Sequence, residues 1–127
     1  MGTEYLIDSN AVIDFCNGKL PLAGRELLFS IVQPKISVIT HIEVFGFPEI
    51  SRTEEKLLND FVSIALIYPL DIDVAKKSIE IKKKTRIKLP DAVIAATALI
   101  HDLVLISRNL ADFDKITGLT VLNPHDL

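Results

Sequence analysis

A chain of 127 residues, 49% of them apolar, has the length and composition of one folded domain with a sizeable hydrophobic core. No apolar run reaches the ~20 residues needed to cross a bilayer, and the N-terminus lacks the basic start and cleavage site of a signal peptide. A single cysteine, Cys16, excludes an internal disulfide and a multi-cysteine zinc site and fits a reducing cytoplasm, while a net charge of −3 speaks against general nucleic-acid binding but leaves room for a local basic patch.

Taken in order, Tyr5-Leu6-Ile7 predicts a buried strand within residues 4–8 that stops at Asp8. A helix follows from about Asn10 to Cys16, ended by Asn17-Gly18. A second helical piece runs from Leu22 to Phe29 or Ser30. Ile36-Ser37-Val38-Ile39 predicts strand two, and Thr40-His41-Ile42-Glu43 opens the next helix as a capping box, which the Gly46-Phe47-Pro48 break stops or bends. Leu57, Leu58, Phe61, Val62 and Ala65 share one helical face, with Thr53 as the expected N-cap.

A short third strand is expected near Ile67-Tyr68. Asp71 then caps a helix running toward Lys84, with Ile72, Ala75 and Ile79 expected to face inward. Leu89-Pro90-Asp91 opens the most apolar helix, buried on most sides. Leu103 to Ile106 predicts strand four, a polar turn Ser107-Arg108-Asn109 leads into a short helical piece with Asp112, and Leu119 to Leu122 predicts a last strand. Strands alternating with helices imply a parallel sheet covered on both faces.

In such sheets ligands bind beyond the carboxyl ends of the strands, which makes Asp8 the leading functional candidate over a simple helix cap. Glu43 taken alone is better explained by its capping box, yet it also follows strand two on the same sheet edge as Asp8. Asp91 suits the positive end of its helix dipole equally well. Asp112 lies four residues after Arg108, where an ion pair is the plain alternative to a site role, and Asn109 is a neighbouring polar ligand candidate. Carboxylates gathered at one sheet edge repel one another and so call for protons or a cation, with Mg²⁺ or Mn²⁺ favoured by oxygen donors. His41, His101 and His125 show no metal-ligand spacing and are read as surface residues.

Four pieces in this order resemble the PIN-domain nucleases, and within them the VapC-like toxins of type II toxin–antitoxin pairs. They are Leu6-Ile7-Asp8-Ser9-Asn10, Ser37 to Glu43, Leu89-Pro90-Asp91-Ala92-Val93-Ile94-Ala95-Ala96, and Leu105 to Phe113. Ser9 stands where the family usually has Thr, which keeps the hydroxyl.

The resemblance implies one PIN-like domain over 1–127 with a three-layer α/β/α sandwich around a parallel sheet. It implies an Mg²⁺- or Mn²⁺-dependent endoribonuclease that hydrolyses RNA phosphodiesters, acting as a toxin. Asp8, Glu43, Asp91 and Asp112 are then the catalytic acids, with Asp8 and Asp91 on the metal. Ser9, Asn10 and Asn109 support the cofactor site, and the fourth ligand is Asp112 or Asn109. Arg108 is the expected phosphate contact, ahead of Lys82-Lys83-Lys84, Arg86 and Lys88, whose plainer role is a solvated helix end. Phe45, Phe47 and Ile50 either pack internally or line a groove for an antitoxin helix, and the toxin branch commonly forms homodimers. A phosphotransfer or receiver domain with Asp8 as acceptor, and a non-catalytic binding module, are the competing readings.

Overall fold

The computed structural model describes residues 2–127. Five short strands alternate with helices. They are β1 (Tyr5–Ile7), β2 (Lys35–Ser37), β3 (Leu66–Tyr68), β4 (Val104–Ile106) and β5 (Val121–Leu122). The helices are α1 (Ser9–Cys16), α2 (Leu22–Ser30), α3 (Val38–Phe45), α4 (Arg52–Ser63), α5 (Ile72–Lys84), α6 (Leu89–Ile100) and α7 (Leu110–Phe113).

All strand pairs are parallel. β1 pairs with β4 and β4 with β5, β2 pairs with β3, and β2 lies alongside β1. The sheet centre is therefore β1, and the chain crosses from its β2 side to its β4 side through α5 and α6. No helix is long and apolar enough to cross a membrane, among the described residues.

Side chains alternate across the sheet as the pleat requires. Leu6 and Leu105 face a cluster with Val74, Ile81, Ala92, Val93, Ala96 and Phe113, drawn from α5, α6 and α7. Ile7, Ile36 and Ile106 face the opposite cluster, with Ala11, Val12, Leu28, Val44, Leu58 and Phe61 from α1 to α4. This is the three-layer α/β/α arrangement expected. Ala92 to Ala98 are all buried, so α6 is the helix most enclosed by its neighbours, as its composition requires.

Four local expectations are corrected. α3 begins at Val38, not Thr40: Ser37 is the N-cap, its hydroxyl accepting from the Ile39 amide at 3.0 Å, so Val38 and Ile39 are helix and the Thr40–Glu43 capping box does not form. α4 is capped by Ser51 rather than Thr53, with the Glu54 amide donating to Ser51 Oγ at 3.1 Å. α1 starts at Ser9 rather than Asn10, with Asp8 itself as its N-cap, so the acid read as functional also caps the helix.

On α5 the buried stripe is Val74, Ser78 and Ile81, while Ile72 is 67% and Ile79 56% exposed. Ser78 lies in that stripe at little cost because its hydroxyl donates to the Val74 carbonyl at 2.8 Å. The Asp71 cap holds as read, accepting from the Val74 amide at 3.0 Å. Gly18 takes φ +67° just after α1, the conformation that marks it as a helix stop.

Candidate functional site

The register of β1 against β4 builds the centre of the site. Ile7 pairs with Ile106, so the next residues out, Asp8 and Ser107, fall side by side at the carboxyl ends of the two central strands. The ladder runs one step further there, with the Asp8 amide donating to the Ile106 carbonyl at 2.9 Å and the Ser107 amide to Leu122 at 3.0 Å. Asp8 is only 4% exposed and Ser107 is fully buried.

Asp8 is tightly held. Its Oδ1 accepts from the Ser9 amide at 2.8 Å, while Oδ2 accepts from Ser107 Oγ at 2.7 Å and Asn10 Nδ2 at 3.1 Å. Burial pushes its carboxyl above the ordinary range and the nearby Glu43 charge adds to this. The bonds from Ser107, Ser9 and Asn10 pull the other way. Three lone-pair positions are taken, leaving one on Oδ1 for a cation.

The other acids arrive from separate elements. Glu43 lies in α3 and accepts the Ser9 hydroxyl at Oε1, 2.6 Å away; Ser9 Oγ is also 3.2 Å from Thr40 Oγ1. Asp91 sits in the first turn of α6. Partial burial pushes its carboxyl up to about 6, and the charges of Asp8, Glu43 and Asp112 push the same way, with Lys88 opposing. One open cleft is lined by Asp8, Ser9, Asn10, Ile13, Glu43, Asp91, Arg108 and Asn109. Asp112 stands beside it in α7, its Oδ2 accepting from Asn109 Nδ2 at 3.0 Å.

Among the described residues, no three His, Cys, Asp or Glu side chains stand close enough to close on one ion as they are. Asp8, Glu43 and Asp91 nevertheless line one cleft, and neighbouring acid charges add to the burial that raises the carboxyls of Asp8 and Asp91. Their donors are carboxylate oxygens, the chemistry that suits a hard divalent cation. On donor type and charge the residues fit such an ion.

The remaining basic and histidine residues are placed as follows. Arg108 does not pair with Asp112. Its Nη1 donates to both oxygens of Asp14, at 2.9 and 3.2 Å, and its backbone amide donates to Asn10 Oδ1 at 3.2 Å. Lys82 donates to the Ile87 carbonyl at 3.1 Å, and Lys82 to Lys84 end α5 where cations favour the dipole. Lys88, the N-cap of α6, is the basic residue of that group whose charge Asp91 feels.

His125 is not merely a surface residue, since its Nε2 lies 2.9 Å from Asp14 Oδ2. His101 stacks on Tyr68 with ring centroids 4.0 Å apart, and His41 sits edge-on to Phe45. Ser107, Thr40 and Asp14 are site-forming residues that sequence reasoning missed. Only Ser107, directly after strand four, carried a positional signal.

A family model of the PIN domain matches residues 5–119. The chain belongs to the PIN-domain family. Among solved structures it is similar to a chain of a toxin–antitoxin complex from Klebsiella pneumoniae, 33% identical with a TM-score of 0.80, covering 98% of this chain and 100% of that one. A chain of DNA-bound VapBC from Salmonella typhimurium is 26% identical with a TM-score of 0.79, covering 97% and 99%. A chain of FitAcB from Neisseria gonorrhoeae, 24% identical with a TM-score of 0.79 and coverage of 97% and 99%, speaks for the fold alone. No curated protein matches the chain. The VapC-like resemblance read from the sequence stands. PIN-domain toxins are generally nucleases, and PIN domains generally use divalent metal ions.

Proposed function

We propose that this chain is an Mg²⁺- or Mn²⁺-dependent endoribonuclease, the toxin of a toxin–antitoxin pair, acting in the cytoplasm as one PIN-like domain over 1–127. The observation that carries this reading is the single cleft into which Asp8, Glu43 and Asp91 project from three different elements, with Asp8 and Asp91 both shifted toward the protonated form. Burial chiefly, and neighbouring acid charges in addition, cause these shifts, and a bound cation offsets both. The one-domain reading is supported by the family match over 5–119 and by full coverage of the Klebsiella chain.

Asp8 and Asp91 hold the ion, and Asp112 or Asn109 completes its surroundings. When bound, a divalent ion supplies an acidified water near neutral pH and a counter-charge for the phosphate. Glu43, with Oε1 fixed by Ser9, takes a proton on its other oxygen and orients the attacking water. Ser9, Asn10 and Ser107 fix the carboxylates so that they do not have to reorganise. Arg108, on the cleft wall, contacts an RNA phosphate. Transfer of a phosphoryl group to Asp8 is disfavoured by its 4% exposure and by the two donors already on Oδ2.

An antitoxin partner is supported by the complexes in which the neighbouring structures were solved. Ile13, Cys16, Val44, Phe47, Ile50 and Leu58 line an apolar groove on the α1–α3–α4 side, where Phe47 is 53% exposed, and this groove receives an antitoxin helix. The toxin acts as a homodimer, in keeping with its branch of the family.

The test is incubation of purified protein with a pool of cellular RNAs and Mg²⁺, Mn²⁺ or EDTA, followed by mapping of the new ends. Discrete ends with either ion and none with EDTA are expected. Cleavage that persists in EDTA contradicts the metal-dependent reading, and intact RNA under every condition contradicts the nuclease reading.

A further inference from the structure

Beside the acid cleft, one charged cluster holds two residues, Asp14 and His125, that take no part in the reaction described above. Asp14, one helical turn beyond Asn10 on α1, is 4% exposed, which is unusual for an aspartate and requires a partner. It has two. Arg108 Nη1 reaches both of its oxygens, and His125 Nε2 from the C-terminal segment reaches Oδ2 at 2.9 Å. Arg108 itself is more than half exposed and lines the acid cleft.

A guanidinium beside three carboxylates has an obvious alternative: to fold onto Asp8, Glu43 or Asp91 and compete with the cation. The geometry shows what prevents this. Nη1 is tied to a carboxylate outside the cleft, while Nη2 and Nε make no hydrogen bond to protein among the described residues. The backbone of the same residue is pinned to Asn10 Oδ1, so both ends of Arg108 are registered against α1.

We propose that Asp14 is the positioning residue for Arg108, holding the guanidinium at the rim of the cleft, away from the acids and open to a phosphate of single-stranded RNA, with His125 bracing Asp14 from its other side. The inference rests on the nuclease reading and on Arg108 as the phosphate contact, and it deepens both. Arg108 meets substrate; Asp14 and His125 act only through it.

The experiment compares the full-length wild type with Asp14→Asn, Arg108→Ala and the double variant, using a labelled single-stranded RNA oligonucleotide and Mn²⁺. KM, kcat, the thermal midpoint and the dissociation constant by anisotropy are read for each. Loss of a charged phosphate contact is expected to raise KM by roughly tenfold or more in Arg108→Ala, and several-fold in Asp14→Asn, with kcat within about twofold. The double variant is expected to match Arg108→Ala in KM, because Asp14 has nothing left to position.

A lowered thermal midpoint with KM unchanged overturns the proposal, as does a double variant whose KM rise is the product of the single ones. Where Asp14→Asn does not fold, His125→Asn carries the test. A KM rise of a few-fold that disappears in the Arg108→Ala background supports positioning, and an unchanged KM overturns it. A wild type that binds the oligonucleotide without cutting it overturns the nuclease reading alone, and the dissociation constants then decide on Asp14 by the same comparison. A wild type that neither binds nor cuts overturns both.

Discussion

Ser107→Ala removes a single oxygen from the centre of the site, and its consequences follow from three hydrogen bonds. The hydroxyl donates to Asp8 Oδ2 at 2.7 Å and accepts from the Asn109 amide at 3.0 Å and from Asn10 Nδ2 at 3.3 Å. A bond to a charged group contributes about 1.5–3 kcal/mol, and an amide left without a partner costs about 1–3 kcal/mol more. Asn109 is partly exposed, so water can reach its amide and the lower end applies to that second contribution. The expected loss is about 2.5–4 kcal/mol, each kcal/mol lowering the thermal midpoint by roughly 4 °C for a chain of this size.

There is a second consequence. The Ser107 bond is the largest influence lowering the Asp8 proton affinity, so without it Asp8 ionises less readily and divalent-ion affinity falls. Urea unfolding without divalent ions, paired with calorimetric Mn²⁺ titration, reads both effects. A stability change within about 0.5 kcal/mol, the range of ordinary surface substitutions, together with unchanged Mn²⁺ affinity, would refute the assigned network.

Asp91, raised to about 6, yields a pH prediction. Its folded-state value lies above the ordinary carboxylate value of 3.8. Its contribution to apo stability is therefore full below 3.8 and is lost as pH rises through about 6. A cation needs the ionised form, so Mn²⁺ affinity is expected to climb across the same window, and Asp91→Asn to flatten that climb; a wild-type affinity that does not change from about one pH unit below 6 to about one above contradicts it. Phe47→Ala should weaken capture of the cognate antitoxin by roughly tenfold or more, while urea unfolding barely changes. Unchanged affinity would assign Phe47 to internal packing. Gly24→Ala should destabilise α2, although alanine normally favours a helix by about 1 kcal/mol, because a Cβ there would lie 2.0 Å from the Pro124 carbonyl oxygen. A raised thermal midpoint in that variant would contradict the close approach.

What the sequence made legible depended on local signals. Asp8 and Asp91 stood out because a buried strand ends at one and a proline-marked helix opens at the other, and both positions survive in the fold. Ser107 is 99 residues from Asp8, and Asp14 is 94 from Arg108; neither partnership can be seen without the β1–β4 register that aligns them. Val38 and Ile39 read as strand because β-branched residues favour sheets, yet the Ser37 hydroxyl captures a helix N-terminus first. The α5 face was misplaced because its buried stripe contains a self-satisfied serine while two isoleucines remain outside. Apolar content alone could not report that phase.

The proposed nuclease depends on acids distant in sequence gathering to hold a hard divalent ion. Calorimetric titration of the metal-free protein with Mn²⁺ at neutral pH, alongside Asp8→Asn, tests it most directly. Saturable binding in the wild type is predicted, with at least tenfold weaker binding in a folded Asp8→Asn variant, on the order of the loss of one charged ligand. A flat titration of the wild type, or equal binding in the two proteins, would contradict it.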